Sequence, residues 1–281
     1  MKDTKIEWAT HSFNPWIGCS KVHAGCTNCY AEAMAGRLGV MWGPDGTRRR
    51  TAESTWRQVE RWNRQAGNVR LRPRVFASLC DPFEDWQGPI RNAERRKLWK
   101  HSPLTMQDIR KDFFALIDRT PNLDWLLLTK RPQNIRQMWP GQASRNVDWP
   151  GRHKRRANVW LLYSASDQAT LEYGQPHLLA CRDLVPLLGL SLEPLIGPVD
   201  LTATQGIDWV IVGGESGPNA RPCNVEWIRS IVEQCKAAGV SVFVKQYSGP
   251  KAGLQGRIPD DLWRIKEFPN HGPSFLNTVL M

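Results

Sequence analysis

Trp125-Leu126-Leu127-Leu128-Thr129-Lys130-Arg131-Pro132 is an apolar run that stops abruptly on polar and cationic side chains. Consecutive apolar residues with no polar alternate suit a strand buried on both faces, as parallel strands under a layer of helices are. Similar runs recur at Val75 to Leu79, Val159 to Ser164, Leu188 to Leu192, Trp209 to Val212 and Val240 to Val244, with a weaker one at Trp16 to Cys19. Between several of them lie stretches with apolar residues at helical spacing, Met106 to Arg119, Gln175 to Val185 and Val225 to Ala238. Repeated βα units in a chain of 281 residues predict an α/β fold. The expected form is a partial or complete (β/α) barrel in a single domain over residues 1–249, with residues 250–281 as a C-terminal extension packed on it. An open doubly wound sheet is the alternative.

The ends of these runs carry the reactive side chains. Ser78 and Asp81 follow the first; Thr129, Lys130 and Arg131 the second; Ser164 and Ser166 the third. Ser191 and Glu193, then Gly213-Gly214-Glu215-Ser216-Gly217, and last Lys245-Gln246 close the later ones. In a parallel barrel all strand C-termini open on one face, so these residues converge on one mouth. Each alone reads as a solvated loop residue; the repetition across six runs is what argues for a site.

A length of 281 residues buries a large core without disulfides. No apolar run approaches the roughly 20 residues that span a bilayer, and Met1 to Trp16 lacks the apolar centre of a secretory signal, so a cytoplasmic protein is expected. Seven cysteines, an odd number with three inside eleven residues, suit ligands better than a disulfide framework. The formal charge of +11 favours a polyanionic partner. Cations cluster at Arg48-Arg49-Arg50, Arg70/Arg72/Arg74, Arg91/Arg95/Arg96/Lys97/Lys100 and Arg152-His153-Lys154-Arg155-Arg156, all expected to be exposed. Such runs are also what an ordinary solvated face looks like.

The crowded cysteines read Gly18-Cys19-Ser-Lys-Val-His23-Ala-Gly25-Cys26-Thr-Asn28-Cys29-Tyr30-Ala-Glu-Ala-Met, a C-x6-C-x2-C loop entering a helical pattern. Thiolate is a soft ligand suited to iron–sulfur clusters and to zinc, and Gly18 and Gly25 let the loop bend. Three ligands on a four-iron cluster leave one iron open to a cofactor or substrate. Zinc requires a fourth ligand, for which His23, His11 or Cys80 stand ready; Cys80, Cys181, Cys223 and Cys235 otherwise read as ordinary core or surface thiols.

Ile6-Glu7-Trp8, Phe13-Asn14-Pro15-Trp16, the cysteine loop, Leu128-Thr129-Lys130-Arg131-Pro132, Leu192-Glu193-Pro194-Leu195, Asp208 to Gly217, Ala220-Arg221-Pro222 and Lys245-Gln246 occur in this order. In these segments the chain resembles a phage-encoded three-cysteine-motif family grouped with the radical S-adenosylmethionine barrels. The resemblance spans Ile6 to about Gln246. It implies a radical-S-adenosylmethionine type of barrel in which Cys19, Cys26 and Cys29 ligate a [4Fe-4S] cluster that cleaves S-adenosylmethionine. It further implies an external electron donor and, for a phage-encoded protein, the host cytoplasm. Glu193, Glu215, Lys130 and Lys245 are the catalytic candidates; Ser78, Ser164, Glu193, Gly213, Gly214 and Glu215 are the cofactor-binding ones. Two features depart from the usual radical pattern: the first cysteine gap is six residues rather than three, with Asn28 before the last cysteine where an aromatic is customary, and Gly213-Gly214-Glu215 follows a late strand rather than an early one. The bland alternative for Gly213-Gly214 is a turn that needs permissive backbone angles.

Twelve of the fourteen tryptophans divide by context. Trp8, Trp16, Trp125, Trp209 and Trp227 sit in or beside apolar runs and are expected to pack. Trp42, Trp56, Trp62, Trp86, Trp99, Trp139 and Trp149 lie nearer basic or loop segments and are candidates for stacking on bases. The expected function is therefore radical modification or repair of a nucleic-acid base or nucleotide. The alternatives are a zinc-stabilised nucleic-acid-binding protein without catalysis and an enzyme acting on a small molecule or peptide.

Overall fold

In the computed structural model, which describes residues 3–67, 71–88, 90–92, 104–141, 153–201 and 205–270, the apolar runs become parallel strands. In chain order the elements are β1 (His11–Ser12), β2 (Trp16–Ile17), α1 (Tyr30–Arg37), β3 (Arg48–Arg50), α2 (Glu53–Ala66), β4 (Arg74–Phe76), β5 (Ile90–Asn92), α3 (Met106–Arg119), β6 (Asp124–Thr129), α4 (Ile135–Met138), β7 (Val159–Ala165), α5 (Gln168–Leu179), β8 (Leu187–Leu192), β9 (Trp209–Gly213), α6 (Val225–Ala238), β10 (Ser241–Gln246) and α7 (Asp260–Trp263). Seven strands form one sheet in the order β1-β4-β6-β7-β8-β9-β10, every neighbouring pair parallel, curled into a half-barrel. The fold is thus mixed α/β in a single domain. The weak run at Trp16 to Cys19 is not its seventh strand: that place belongs to β1, while β2 joins β3 and β5 in a separate three-stranded sheet.

The strands are buried on both faces, and their two side-chain sets serve two cores. Val75, Trp125, Leu127, Leu161, Leu190, Val210 and Val244 pack outward with Val59 and Trp62 of α2, Phe113 and Ile117 of α3 and Ile228 and Ile231 of α6. The alternate residues Phe76, Leu126, Trp160, Leu162, Trp209, Ile211 and Phe243 face the other way and pack with Trp8 and Ala9. This period of two explains why the runs show no polar alternate. Aromatic rings dominate the second core: Trp209 meets Trp160, Trp8 and Phe243 edge-on at 5.7, 6.3 and 6.4 Å.

The free edge of β10 is covered by the chain that follows. Val244 N donates to Ile265 O at 2.9 Å and Glu267 N to Val242 O at 3.0 Å. Lys266 then reaches Glu7 at 2.8 Å, so the segment after β10 meets the segment before β1.

Helices α3 and α6 coincide with the stretches read from periodicity. Helix α5 does not: it spans Gln168–Leu179 rather than Gln175 to Val185, because Asp167 and Thr170 form a capping box that starts it earlier. Several basic residues expected at the surface are internal. Arg48 is fully buried, Arg156 nearly so with a fork onto Asp118 at 2.9 and 3.1 Å, and half-buried Arg74 donates to Trp8 O and lies 3.8 Å from the Phe268 ring centroid. Trp56, Trp62 and Trp139 are likewise core residues rather than stacking platforms. Their Cβ–ring bodies fill the outer core, which outweighs their basic sequence neighbours. Arg70, Arg95, Arg96, Lys97, Lys100, Arg152, Trp99 and Trp149 lie outside the described residues. Among the described residues no helix is long and apolar enough to cross a membrane.

One acid at a strand start gives the fold a pH signature. Asp124 opens β6, nearly buried, with Arg72 at 3.5 Å, and burial lifts its pKa from 3.8 to about 6 against the partial opposition of that arginine. The folded state therefore prefers the protonated acid: this contribution is complete below the ordinary value and is lost as pH rises through about 6. Asp124→Asn should be more stable than wild type at pH 8 by on the order of 1–3 kcal/mol, with the difference vanishing near pH 4. Thermal or urea unfolding across that range measures it.

Candidate functional site

At the C-terminal edge of the parallel strands a cavity of about 130 Å³ is walled by Cys19, Cys26, Cys29, Ser78 and Lys130, together with a fourth thiol, Cys80. Its apolar wall includes Phe76 and Leu128, which also belong to or pack against the aromatic core below. The cavity thus stands on a filled floor.

The loop that carries three of these thiols is held from several sides. Gly18, at φ +121°, adopts a backbone conformation that side chains avoid, and its N–H donates to Leu79 O at 3.0 Å, which brings residues 18–19 beside 79–80. A single 3-10 turn, Ala24–Cys26, is capped by His23, whose Nδ1 accepts from Gly25 N at 3.0 Å. Cys29 then stands at the N-cap of α1. Gly25 has no positive φ; its need is space, since a Cβ there would sit 2.0 Å from Ser166 Oγ and 2.8 Å from His23 Cε1. The loop is therefore pressed directly onto the end of β7.

Asn28, which stands where an aromatic was expected, ties this loop to the far side of the sheet. Its Nδ2 donates to Glu215 at 3.0 Å and to Asn219 O at 2.8 Å. Glu215 is also gripped by Arg221 through Nε at 2.9 Å and NH2 at 2.6 Å, and by the Arg221 amide. These donors hold its carboxyl below the usual range although burial opposes them. Glu215 is thus an internal anchor of the cysteine loop, with its oxygens already engaged.

The remaining sequence candidates divide in the same manner. Ser78 and Lys130 line the cavity with the thiols. Lys130 Nζ contacts Ser164 Oγ, which donates to Glu193 O at 3.1 Å. Glu193 pairs with Lys245 and accepts from Gln246 Nε2 at 3.0 Å. Glu193 and Lys245 neutralise one another behind the wall instead of presenting free charges. Gly213 and Gly214 have ordinary backbone angles, so the turn explanation does not hold; a Cβ on Gly214 would meet Ser248 N and Oγ at 2.4 Å. These glycines admit the neighbouring chain 246–248.

Electrostatics at the thiols follow from burial. It pushes Cys19 well above the ordinary thiol range, aided by Glu84 and Asp81 and opposed by Arg131. It raises Cys29, opposed by the amides at the start of α1, and raises Cys80, with Cys19 as the first charged neighbour. Such thiols are protonated unless a cation compensates them, and a bound metal group does so by displacing their protons. His23 is lowered to about 4 by burial and by Lys130, so it is neutral at pH 7. Its Nε2 and the nearby Ser166 Oγ are buried with no hydrogen-bond partner among the described residues. His11, a possible zinc ligand by sequence, instead stacks on Trp62 at 4.4 Å.

Among the described residues no group of three or more His, Cys, Asp or Glu side chains is arranged to hold a metal ion. The donor set nevertheless matches the chemistry of an iron–sulfur group: soft thiols, sharing the wall of one largely apolar cavity, one of them receiving an N–H from Arg131. Cys80 was named by sequence as a candidate fourth zinc ligand, and its place just past a strand run follows the rule that flagged Ser78 and Asp81.

Gly25→Ala should displace the loop and destabilise the protein by about 1–3 kcal/mol, with faster alkylation of Cys26. Gly25→Ala combined with Ser166→Gly should recover much of that loss. An unchanged unfolding midpoint in the single variant would show that the loop is not pressed on β7.

No curated protein and no solved structure matches the chain. A family model described as "Protein of unknown function (DUF5131)" matches residues 3–258. That match covers most of the 281 residues, and the chain belongs to the DUF5131 family.

Proposed function

We propose that this protein is an iron–sulfur enzyme of the radical S-adenosylmethionine class, on a half-barrel of that type, with Cys19, Cys26 and Cys29 as the ligands of a [4Fe-4S] group. The observation that carries this reading is the gathering of three loop thiols on one cavity wall at the C-terminal edge of a parallel sheet. A group bound there supplies one electron to the sulfonium of S-adenosylmethionine.

The chain's own residues would do the rest. Lys130, which has no carboxylate partner among the described residues, offers its ammonium to a carboxylate or phosphate in the cavity. Ser78 supplies a hydroxyl, and Tyr30, bonded to Ser78 O at 3.3 Å, braces that wall. Phe76, Ala77 and Leu128 exclude water, which keeps a reactive species from solvent. The Glu193 backbone carbonyl accepts from Ser164 and so fixes the hydroxyl that meets Lys130, while the Glu193 carboxylate pairs with Lys245. Glu215 contributes by anchoring the loop.

The substrate class we propose with this chemistry is a nucleic-acid base or nucleotide, supported by the net charge of +11, with an external one-electron donor. Cys80 favours one second reading, a four-thiol zinc site that stabilises a nucleic-acid-binding protein.

Anaerobic loading with iron and sulfide, metal analysis and an assay for 5′-deoxyadenosine separate these readings. Wild type should take up iron, absorb in the visible and cleave S-adenosylmethionine after reduction; Cys26→Ala should do none of these. Tight zinc with no cofactor cleavage would replace the first reading with the second. For the substrate class, binding to single-stranded oligonucleotides should weaken steeply with salt, and salt-independent binding would overturn it.

A further inference from the structure

Beside Cys19 the protein buries an unusual quantity of charge. Arg48 forks onto Glu84 at 2.7 and 2.6 Å, with both side chains almost wholly inaccessible. Arg131 meets Asp81 at 3.0 Å and Glu84 at 3.7 Å, and Arg110 spends its donors on Pro82 O and Glu84 O. All five groups are buried. Three guanidiniums against two carboxylates leave one positive charge, and Asp85, 3.9 Å from Arg131, is too exposed to cancel it fully.

That excess is aimed at the first cysteine. Arg131 NH1 donates to Cys19 Sγ at 3.6 Å while the same nitrogen holds Asp81, and NH2 donates to Ser20 O at 2.9 Å. Arg48 NH2 donates to Ser20 Oγ at 2.8 Å. Two guanidiniums therefore grip residue 20, and one of them reaches the sulfur of residue 19. An arginine kept in this network for packing alone would not need a nitrogen on the thiol.

We infer that Arg131 is a positioning residue that tunes the redox group held by Cys19, raising its reduction potential by donating a hydrogen bond to the ligand sulfur from a cationic network. The inference rests on the iron–sulfur reading. Reduction adds negative charge to such a group, and a fixed cation with an N–H on its sulfur stabilises the reduced form more than the oxidised one. Because a guanidinium does not lose its proton in proteins, the contribution holds at every working pH.

The test compares wild type, Arg131→Gln and Arg131→Lys, each loaded anaerobically with iron and sulfide, by iron content and by a reductive titration followed by electron paramagnetic resonance. Arg131→Gln should retain iron and shift to a more negative midpoint, and Arg131→Lys should shift less, since it keeps the charge and loses the fork. A midpoint equal to wild type in the loaded variants would overturn the inference, as would loss of iron with an unchanged midpoint in the fraction that loads, which marks a role in holding the loop alone. Should Arg131→Gln fail to fold, Arg131→Lys carries the comparison, and an unshifted midpoint there overturns it equally. If wild type takes up no more iron than Cys26→Ala, the iron–sulfur reading itself falls first, a result distinct from loaded variants that behave as wild type.

Discussion

Asp81 accepts four hydrogen bonds within the protein: from Thr129 Oγ1 at 2.7 Å, Phe83 N at 3.0 Å, Lys130 N at 3.1 Å and Arg131 NH1 at 3.0 Å. A carboxylate so saturated is fixed in place, and it ties the chain leaving β6 to the chain leaving β4. Lys130 and Arg131 both reach the cavity from that point, Lys130 toward Ser164 and Arg131 toward the sulfur of Cys19. Removing one member of such a buried set strands the others without partners, at about 3–5 kcal/mol. The cavity wall is thereby tied to the strands beneath it.

Much of the scaffold was legible because its signals are local. Leu126, Leu127 and Leu128 are unbroken in sequence since the half-barrel has a core on each face, and α3 and α6 show their buried stripe at helical spacing. What failed were inferences from neighbours in sequence. Arg48 sits in a run of three arginines, yet β3 turns its side chain inward to Glu84, 36 residues away. Trp56 and Trp62 stand among charged residues, but α2 points them into the core. Long-range pairing of this kind leaves no trace in composition.

The site was legible in outline and not in its division of labour. Strand-end position flagged Lys130, Glu193, Glu215 and Lys245 alike, but sequence carries no record of which carboxylate already has a partner. Glu215 and Arg221 are six residues apart and could have been suspected; Glu193 and Lys245, 52 residues apart, could not. Asn28 looked like a departure from a pattern and is instead the tether between the loop and β9.

The aromatic floor has a mechanical consequence. Trp8, Trp160, Trp209 and Phe243 pack together with Phe76, and Leu128 packs against them, so the wall of the thiol cavity and the inner core share side chains. Trimming a ring in that core therefore loosens a wall of the cavity as well as the fold, and the two cannot be altered independently.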